Sequence, residues 1–289
     1  MDSEGSSNDD RLEQVHRRGL AEWEAMAPGW EHRREYLREF AQPIADWMVA
    51  QLDPQPGQTI LELGAGTGET GFAASRLIGD GGRLISTDLP PGMVDVAKRR
   101  AAELGVENAE FRVMDAQRMD LEDGTVDGIL CRWAYMLMAD PAAAMSESRR
   151  VLRPGGRHAL AVMGGPVENP WAASVAKSIV GLGLIPPIDS NAPGGLFSLA
   201  DHAVLRDLLT RAGFENVRIE ETEFHLWFSD FEDYWSFISE FAGAVAMLLR
   251  SFSDEERAAV REATVRATEG FRTDQGYDLP GRSVNALAS

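Results

Sequence analysis

The chain has 289 residues, which suits one α/β domain with insertions. Its 46 acidic residues outnumber the 28 basic ones, and no Lys/Arg-rich stripe interrupts the resulting formal net charge of −18. A surface of this charge repels polyanions, so we expect a small-molecule substrate and no nucleic-acid partner.

Cysteine usage and hydropathy restrict the class of protein further. Cys131 is the single cysteine, which excludes an internal disulfide and a cysteine-cluster metal site, and no metal is expected. The acidic N-terminus has no apolar core, and no apolar run reaches membrane-spanning length. We therefore predict a cytoplasmic protein without membrane insertion.

The first 55 residues are predicted to form a tail and a helical cap. Residues 1–10 are rich in Ser, Asp, Gly and Asn, a composition that favours disorder. Apolar residues then recur at helical spacing as far as Leu52, with an interruption at Ala27-Pro28-Gly29. This pattern predicts two helices joined by a turn at Pro28.

Residues 56–289 are predicted to form one doubly wound α/β domain. Short apolar runs alternate with helical stretches, a pattern typical of a parallel sheet with helices on both faces. The predicted strands are 59–63, 83–87, 109–113, 126–131 and 157–163, and the helices are 68–78, 91–104 and 141–152.

The remaining segments complete the domain and add two insertions. Residues 164–199, with several Gly and Pro pairs, are predicted to be an irregular substrate lid. A helix over 200–212, a strand over 214–226 and a final strand over 277–287 follow the same alternation. Helical stretches at 230–250 and 253–270 form a second insertion over 229–272.

The strongest motif is a glycine loop directly after the first strand. Gly66, Gly68 and Gly71 fit a dinucleotide fingerprint, which leaves a nicotinamide-dependent oxidoreductase as an alternative. The strand ends at Leu63, however, and this register places Glu62 within the strand end. A carboxylate there is unfavourable beside a pyrophosphate and suits a ligand with an ammonium group.

The glycine loop resembles motif I of the class I S-adenosylmethionine-dependent methyltransferases, particularly the branch of ubiquinone and menaquinone biosynthesis enzymes. Four further segments resemble that family in order: residues 86–89 with Met93, 114–116, 130–133 and 149–156. The resemblance implies a seven-stranded sheet of order 3-2-1-4-5-7-6 with the last strand antiparallel. It also implies S-adenosyl-L-methionine as cofactor and S-adenosyl-L-homocysteine as product.

The same resemblance assigns the cofactor contacts. Asp88 would bind both ribose hydroxyls, Asp115 would accept from the adenine amino group, and the backbone at Cys131 would line the methionine end. The full predicted set is Glu62, Gly64, Ala65, Gly66, Gly68, Asp88, Leu89, Met93, Asp115, Ala116 and Cys131.

The acceptor site is predicted from aromatic residues between the last two strands. They form either the roof of an apolar pocket or an ordinary packing helix pair. Residues predicted to contact the acceptor are Trp30, Arg132, Tyr135, Trp171, Phe231 and Trp235; Trp23 and Trp133 join Trp30 and Tyr135 as candidates to face the sulfonium.

The predicted function is methylation of a small apolar or aromatic organic acceptor. None of the five histidines lies in a diagnostic motif, so the catalytic residue is unknown. A non-catalytic module that binds S-adenosylmethionine is the second alternative, and a homodimer is possible.

Overall fold

The N-terminal cap consists of two long helices with almost no turn between them. The computed structural model describes residues 8–241 and 243–289, so most of the predicted tail lies outside the described residues. Helix α1 spans Asn8–His32 and α2 spans Arg34–Leu52. The start of α1 corrects the tail boundary, because Asn8 to Asp10 are helical.

The predicted break at Pro28 is wrong. Pro28 lies inside α1, and the chain turns at Arg33, whose φ is −101° and ψ is 17°. A proline inside a helix removes one backbone hydrogen bond and crowds the preceding turn. Met26 and Ala27, within that preceding turn, are buried, and this packing holds the helix together through the proline.

The first half of the remaining chain follows the predicted alternation. Its elements are β1 (Thr59–Leu63), α3 (Glu69–Ile78), β2 (Arg83–Asp88), α4 (Pro91–Leu104), β3 (Ala109–Val113), β4 (Val126–Arg132), α5 (Pro141–Val151) and β5 (Leu152–Met163). The bounds agree with the prediction to within one residue except at β5. That strand begins at Leu152, which pairs with Val126, and its register then shifts across the turn at Gly155.

The second half contains more helix than predicted. Its elements are α6 (Pro170–Gly181), α7 (His202–Arg211), β6 (Arg218–Phe228), α8 (Phe231–Phe241), α9 (Gly243–Ser251), α10 (Asp254–Thr268), β7 (Arg272–Thr273) and β8 (Gly276–Ala288). Helix α6 corrects the prediction that residues 164–199 are irregular. Trp171, Val175 and Ile179 recur every four residues and are buried, as one face of a helix requires.

The sheet has the strand order β3-β2-β1-β4-β5-β8-β6, and β8 is antiparallel to both of its long neighbours. The predicted order 3-2-1-4-5-7-6 is confirmed, because the two-residue β7 pairs only with β8 and adds no position to it. Strand order reverses between β1 and β4, which opens a crevice at their carboxyl ends. Among residues 8–241 and 243–289, no helix is long and apolar enough to cross a membrane.

Candidate functional site

The glycine loop between β1 and α3 needs glycine at several positions. Gly64, Gly66 and Gly68 have φ values of +60°, +56° and +84°, a left-handed region that disfavours other residues. A Cβ at Gly64 would lie 2.4 Å from the Ala134 Cβ, and one at Gly68 would lie 2.3 Å from the Phe72 ring. Glycine is therefore required here both by the left-handed backbone and by the close packing of Ala134 and Phe72 against the loop.

Glu62 holds this loop from behind. Its Oε1 accepts a hydrogen bond from the Gly71 N–H at 2.7 Å, and its Oε2 accepts one from the Ser86 Oγ at 3.0 Å. Burial raises the pKa of Glu62 to about 8. Because both oxygens are already bonded within the protein, a direct contact between Glu62 and the cofactor ammonium stays a prediction.

Asp88, at the end of β2, lies beside the glycine loop as predicted for a ribose-binding acid. Its Oδ2 accepts from the Gly66 N–H and its Oδ1 from the Leu89 N–H, both at 2.8 Å. Burial raises the pKa of Asp88 to about 6. The backbone carbonyl of Asp88 also accepts from the Met114 N–H at 2.9 Å, so the ends of β2 and β3 are joined here.

The other predicted cofactor residues line the same edge of the sheet. Asp115 is partly exposed, and its Oδ1 accepts from the Gln117 N–H at 2.9 Å. Ala65, Met93, Ala116 and Cys131 are buried. Cys131 pairs with Leu63 across β4 and β1, and burial raises the pKa of its thiol.

Helix α1 packs directly over this edge. The Trp30 ring lies 3.1 Å from the position that a Cβ would take at Gly66. Glu24 Oε2 accepts from the Gly92 N–H at 2.9 Å, and His16 Nε2 lies 3.8 Å from Asp115 Oδ2. Sequence reasoning named Trp30 but missed Glu24 and His16, because contacts across such long separations leave no local signal.

Two buried polar atoms at the loop have no hydrogen-bond partner: Thr67 Oγ1 and Trp30 Nε1. Leaving a buried polar group unpaired costs about 1–3 kcal/mol, so such atoms mark places where a polar ligand can bind. Together with the left-handed glycines and Asp88, they fit a nucleoside cofactor such as S-adenosylmethionine.

Trp133, at the end of β4, has a strained backbone. Its φ is +56°, which is rare for a bulky residue. The strain is held by two hydrogen bonds, from the Trp133 N–H to the Ala161 carbonyl at 2.7 Å and from the indole Nε1 to the Ser283 Oγ at 2.9 Å. Sequence reasoning named Trp133 only as a candidate to face the sulfonium and could not foresee this conformation.

A chain of aromatic rings connects the glycine loop with Trp133. Trp30 stacks on Phe241 with ring centroids 4.5 Å apart, and Phe241 stacks on Phe237 at 4.7 Å. Phe237 then meets Phe40 at 6.4 Å, and Phe40 meets Trp133 at 5.9 Å. We call these five residues the aromatic chain.

The predicted acceptor residues fall in several places. Trp171 meets the Phe237 ring at 6.2 Å and so borders the aromatic chain. Phe231 stacks with Trp235 at 6.1 Å and lines a separate 450 Å³ cleft beside Arg272 and Tyr277. The residues of α8 that belong to the aromatic chain are therefore Phe237 and Phe241. The sequence prediction named two other residues of that helix, Phe231 and Trp235.

Tyr135 is a correction. It is fully buried in a short 3-10 turn after β4, and its hydroxyl bonds to Ser148 Oγ at 2.6 Å and meets His158 Nε2 at 3.3 Å. Burial lowers the pKa of His158 to about 3. Both residues are neutral core groups, so Tyr135 is not an acceptor contact.

Comparisons with known proteins agree with this geometry. The family model described as a methyltransferase domain matches residues 60–156. A ubiquinone/menaquinone biosynthesis C-methyltransferase from Acidiphilium cryptum is 30% identical over 179 residues, which cover 58% of this chain and 71% of that protein. The aligned segments span 33% to 71% of the length of the curated relatives.

Solved structures share the fold at low sequence identity. The YcgJ protein from Bacillus subtilis has a TM-score of 0.57 and 19% identity, covering 84% of this chain and 96% of that one. The cyclase SpnF has a TM-score of 0.54 and 16% identity, covering 92% and 95%. The ordered sheet, the glycine loop with its acids and these relatives lead to one conclusion: the chain belongs to the class I S-adenosylmethionine-dependent methyltransferases.

Proposed function

We propose that this chain transfers the methyl group of S-adenosylmethionine to a small apolar or aromatic organic acceptor. The observation that carries the proposal is the aromatic chain, which connects Trp30 of α1, packed against the glycine loop, with Trp133 after β4. Apolar and aromatic walls with a few polar groups are typical of small-molecule sites. Related proteins include a nocamycin O-methyltransferase and an aklanonic acid methyltransferase.

The proposed mechanism relies on orientation. The cofactor supplies an electrophilic methyl group on a sulfonium. Asp88 would hold the ribose and Asp115 the adenine, while the loop backbone from Gly64 to Gly68 fixes the methionine end. Aligning donor and acceptor in line contributes on the order of 7–11 kcal/mol in well-oriented reactions. The aromatic chain would exclude water and face the positive charge, a cation–π contribution of about 0.5–2 kcal/mol.

The domain division and the cellular setting form part of the same proposal. Residues 56–289 would be the methyltransferase domain, and the insertions at 164–199 and 229–272 would enclose the acceptor. The buried thiol of Cys131 suits a reducing cytoplasm. The formal charge of −18 supports a small-molecule acceptor over a nucleic acid.

The direct test is transfer of label from methyl-labelled S-adenosylmethionine to fractionated small-molecule extracts. We expect label in apolar fractions with the native protein and a strong reduction with Asp88→Ala. Binding of S-adenosylhomocysteine without any label transfer would instead support the non-catalytic module, because a shared fold does not determine the activity. The similarity to the cyclase SpnF shows the fold alone. Label in added RNA would contradict the small-molecule proposal.

A further inference from the structure

A second cleft lies between α2 and the ends of α3 and β4; the sequence did not predict it, although Arg132, which lines it, was predicted to contact the acceptor. It has a volume of 450 Å³ and is enclosed by α2, α3, α4 and the end of β4. Its lining contains four arginines, two glutamates, one glutamine, one threonine and four apolar residues: Arg38, Arg76, Arg100, Arg132, Glu35, Glu69, Gln42, Thr70, Ala41, Ala45, Ala73 and Leu104. This excess of positive charge stands out in a chain whose formal net charge is −18.

The two glutamates are already paired with arginines. Guanidinium nitrogens of Arg100 lie 2.7 Å from carboxylate oxygens of Glu35 and Glu69. A guanidinium nitrogen of Arg38 lies 3.1 Å from a Glu35 oxygen. Arg132 and Arg76 have no ion pair with any of the residues that the structure describes. Two guanidinium groups at one cleft therefore have no direct ion-pair partner among the described residues, and Glu62 and Glu69 attract Arg132 only at longer range.

Arg132 is held in a fixed position and is largely buried. Its Nε donates to the Thr70 Oγ1 at 2.9 Å, and its guanidinium carbon lies 5.0 Å from the Trp133 ring centroid. These two contacts orient the side chain without neutralising it. The remaining guanidinium nitrogens are not hydrogen-bonded within the part of the chain that the structure describes and can donate to a ligand in the cleft.

The carboxyl groups nearest Arg132 are hydrogen-bonded to other groups. Glu62 already accepts hydrogen bonds from the Gly71 N–H and the Ser86 hydroxyl. Glu69 is bonded to Arg100. The desolvation that lowers the pKa of Arg132 is a cost that an incoming anion would offset.

We propose that this cleft is a binding site for a small organic anion, a carboxylate or phosphate on an apolar body. Arg132 and Arg76 would bind the acid group, because guanidinium forks match both oxygen geometries. Ala41, Ala45, Ala73 and Leu104 would contact the apolar part. The volume lies within the range of small-molecule sites, about 300–1,000 Å³. The proposal does not depend on which acceptor the enzyme methylates.

The test is calorimetric titration with benzoate and phenyl phosphate, with benzyl alcohol as the uncharged probe. We expect both anions to bind and benzyl alcohol not to. Arg132→Gln should weaken anion binding about tenfold or more, and Arg132→Lys should restore part of it. The matched control is Arg211→Gln, which removes an exposed arginine on α7 that pairs with Asp207 and should leave anion binding unchanged.

The same titrations in saturating S-adenosylhomocysteine separate this site from the cofactor crevice. Anion binding should persist, and the affinity of Arg132→Gln for S-adenosylhomocysteine, measured alone, should stay close to native. Loss of anion binding when the crevice is filled, or an equal loss of both affinities in the variant, would overturn the proposal. Anion affinity unaffected by Arg132→Gln would overturn it as well.

The source of the anion is distinguished by kinetics once label transfer has identified an acceptor. Inhibition by benzoate that is competitive with the acceptor means that the cleft holds the acceptor's own acid group. Inhibition or activation that is not competitive means that a separate effector binds there. Either result supports the site, and failure of label transfer leaves the calorimetric test intact.

Discussion

Asp88 joins the glycine loop to the end of β2, and its protonation should control cofactor affinity. Its pKa of about 6 is above the ordinary value because the group is buried. Ribose hydroxyls bond more strongly to the carboxylate than to the protonated acid. We therefore predict that affinity for S-adenosylhomocysteine rises between about pH 5 and pH 7, as the free enzyme loses this proton.

Asp88→Asn should abolish that rise and weaken affinity at pH 7.5 by about 10- to 100-fold, the loss expected for charge-assisted hydrogen bonds. Calorimetry across the pH range measures both effects. Asp95→Asn is the control, because Asp95 is exposed on α4 and its ion pair there is with Lys98, away from the glycine loop. A native pH profile retained in Asp88→Asn would exclude Asp88 as the titrating group.

At the scale of single residues, the sequence predicts what depends on local backbone. The glycines of the loop and the acid that ends β2 follow from a strand running into a turn. Tyr135 shows the limit: it lies two residues beyond a resembling segment, yet a short 3-10 turn points it into the core. The left-handed backbone of Trp133 depends on Ala161 and Ser283, which are distant in sequence.

At the scale of elements, periodicity predicts the helices and strands but not where they dock. The bounds of β1, α4 and β3 follow directly from apolar spacing and turn residues. In contrast, the Gly and Pro residues on either side of α6 led to the prediction of an irregular segment there. Pro28 predicted a helix break, but tertiary packing keeps α1 continuous through that residue. The position of α1 over the glycine loop depends on contacts such as Glu24 with Gly92, which no local pattern encodes.

That position makes α1 a barrier to cofactor entry, because Trp30 covers Gly66. We predict that Trp30→Ala raises the association rate constant for S-adenosylhomocysteine several-fold, since less packing must open before binding. Stopped-flow fluorescence of the remaining tryptophans measures the rate. Trp227→Ala, which truncates an exposed indole on β6, should leave it unchanged. A slower association in Trp30→Ala would mean that the indole guides the cofactor in and does not block it.

At the scale of the whole molecule, topology and charge are the properties that the sequence determines best. Right-handed crossovers and the family resemblance together give the strand order, and the reversal between β1 and β4 places the crevice. The net charge acts on the fold as a whole, because 46 acidic residues outnumber 28 basic ones. Its self-repulsion opposes the compact state.

Salt should therefore stabilise this protein. Each surface ion pair contributes little to the free energy of unfolding, about 0–1 kcal/mol. Repulsion among the excess acids acts over longer distances, and salt screens it more completely. We predict that the melting temperature rises as NaCl increases from about 20 mM to about 300 mM at neutral pH. Glu107→Lys combined with Glu215→Lys, both exposed and without a side-chain partner among the described residues, should reduce the rise. A melting temperature that falls with salt in both proteins would mean that the ion pairs outweigh the repulsion.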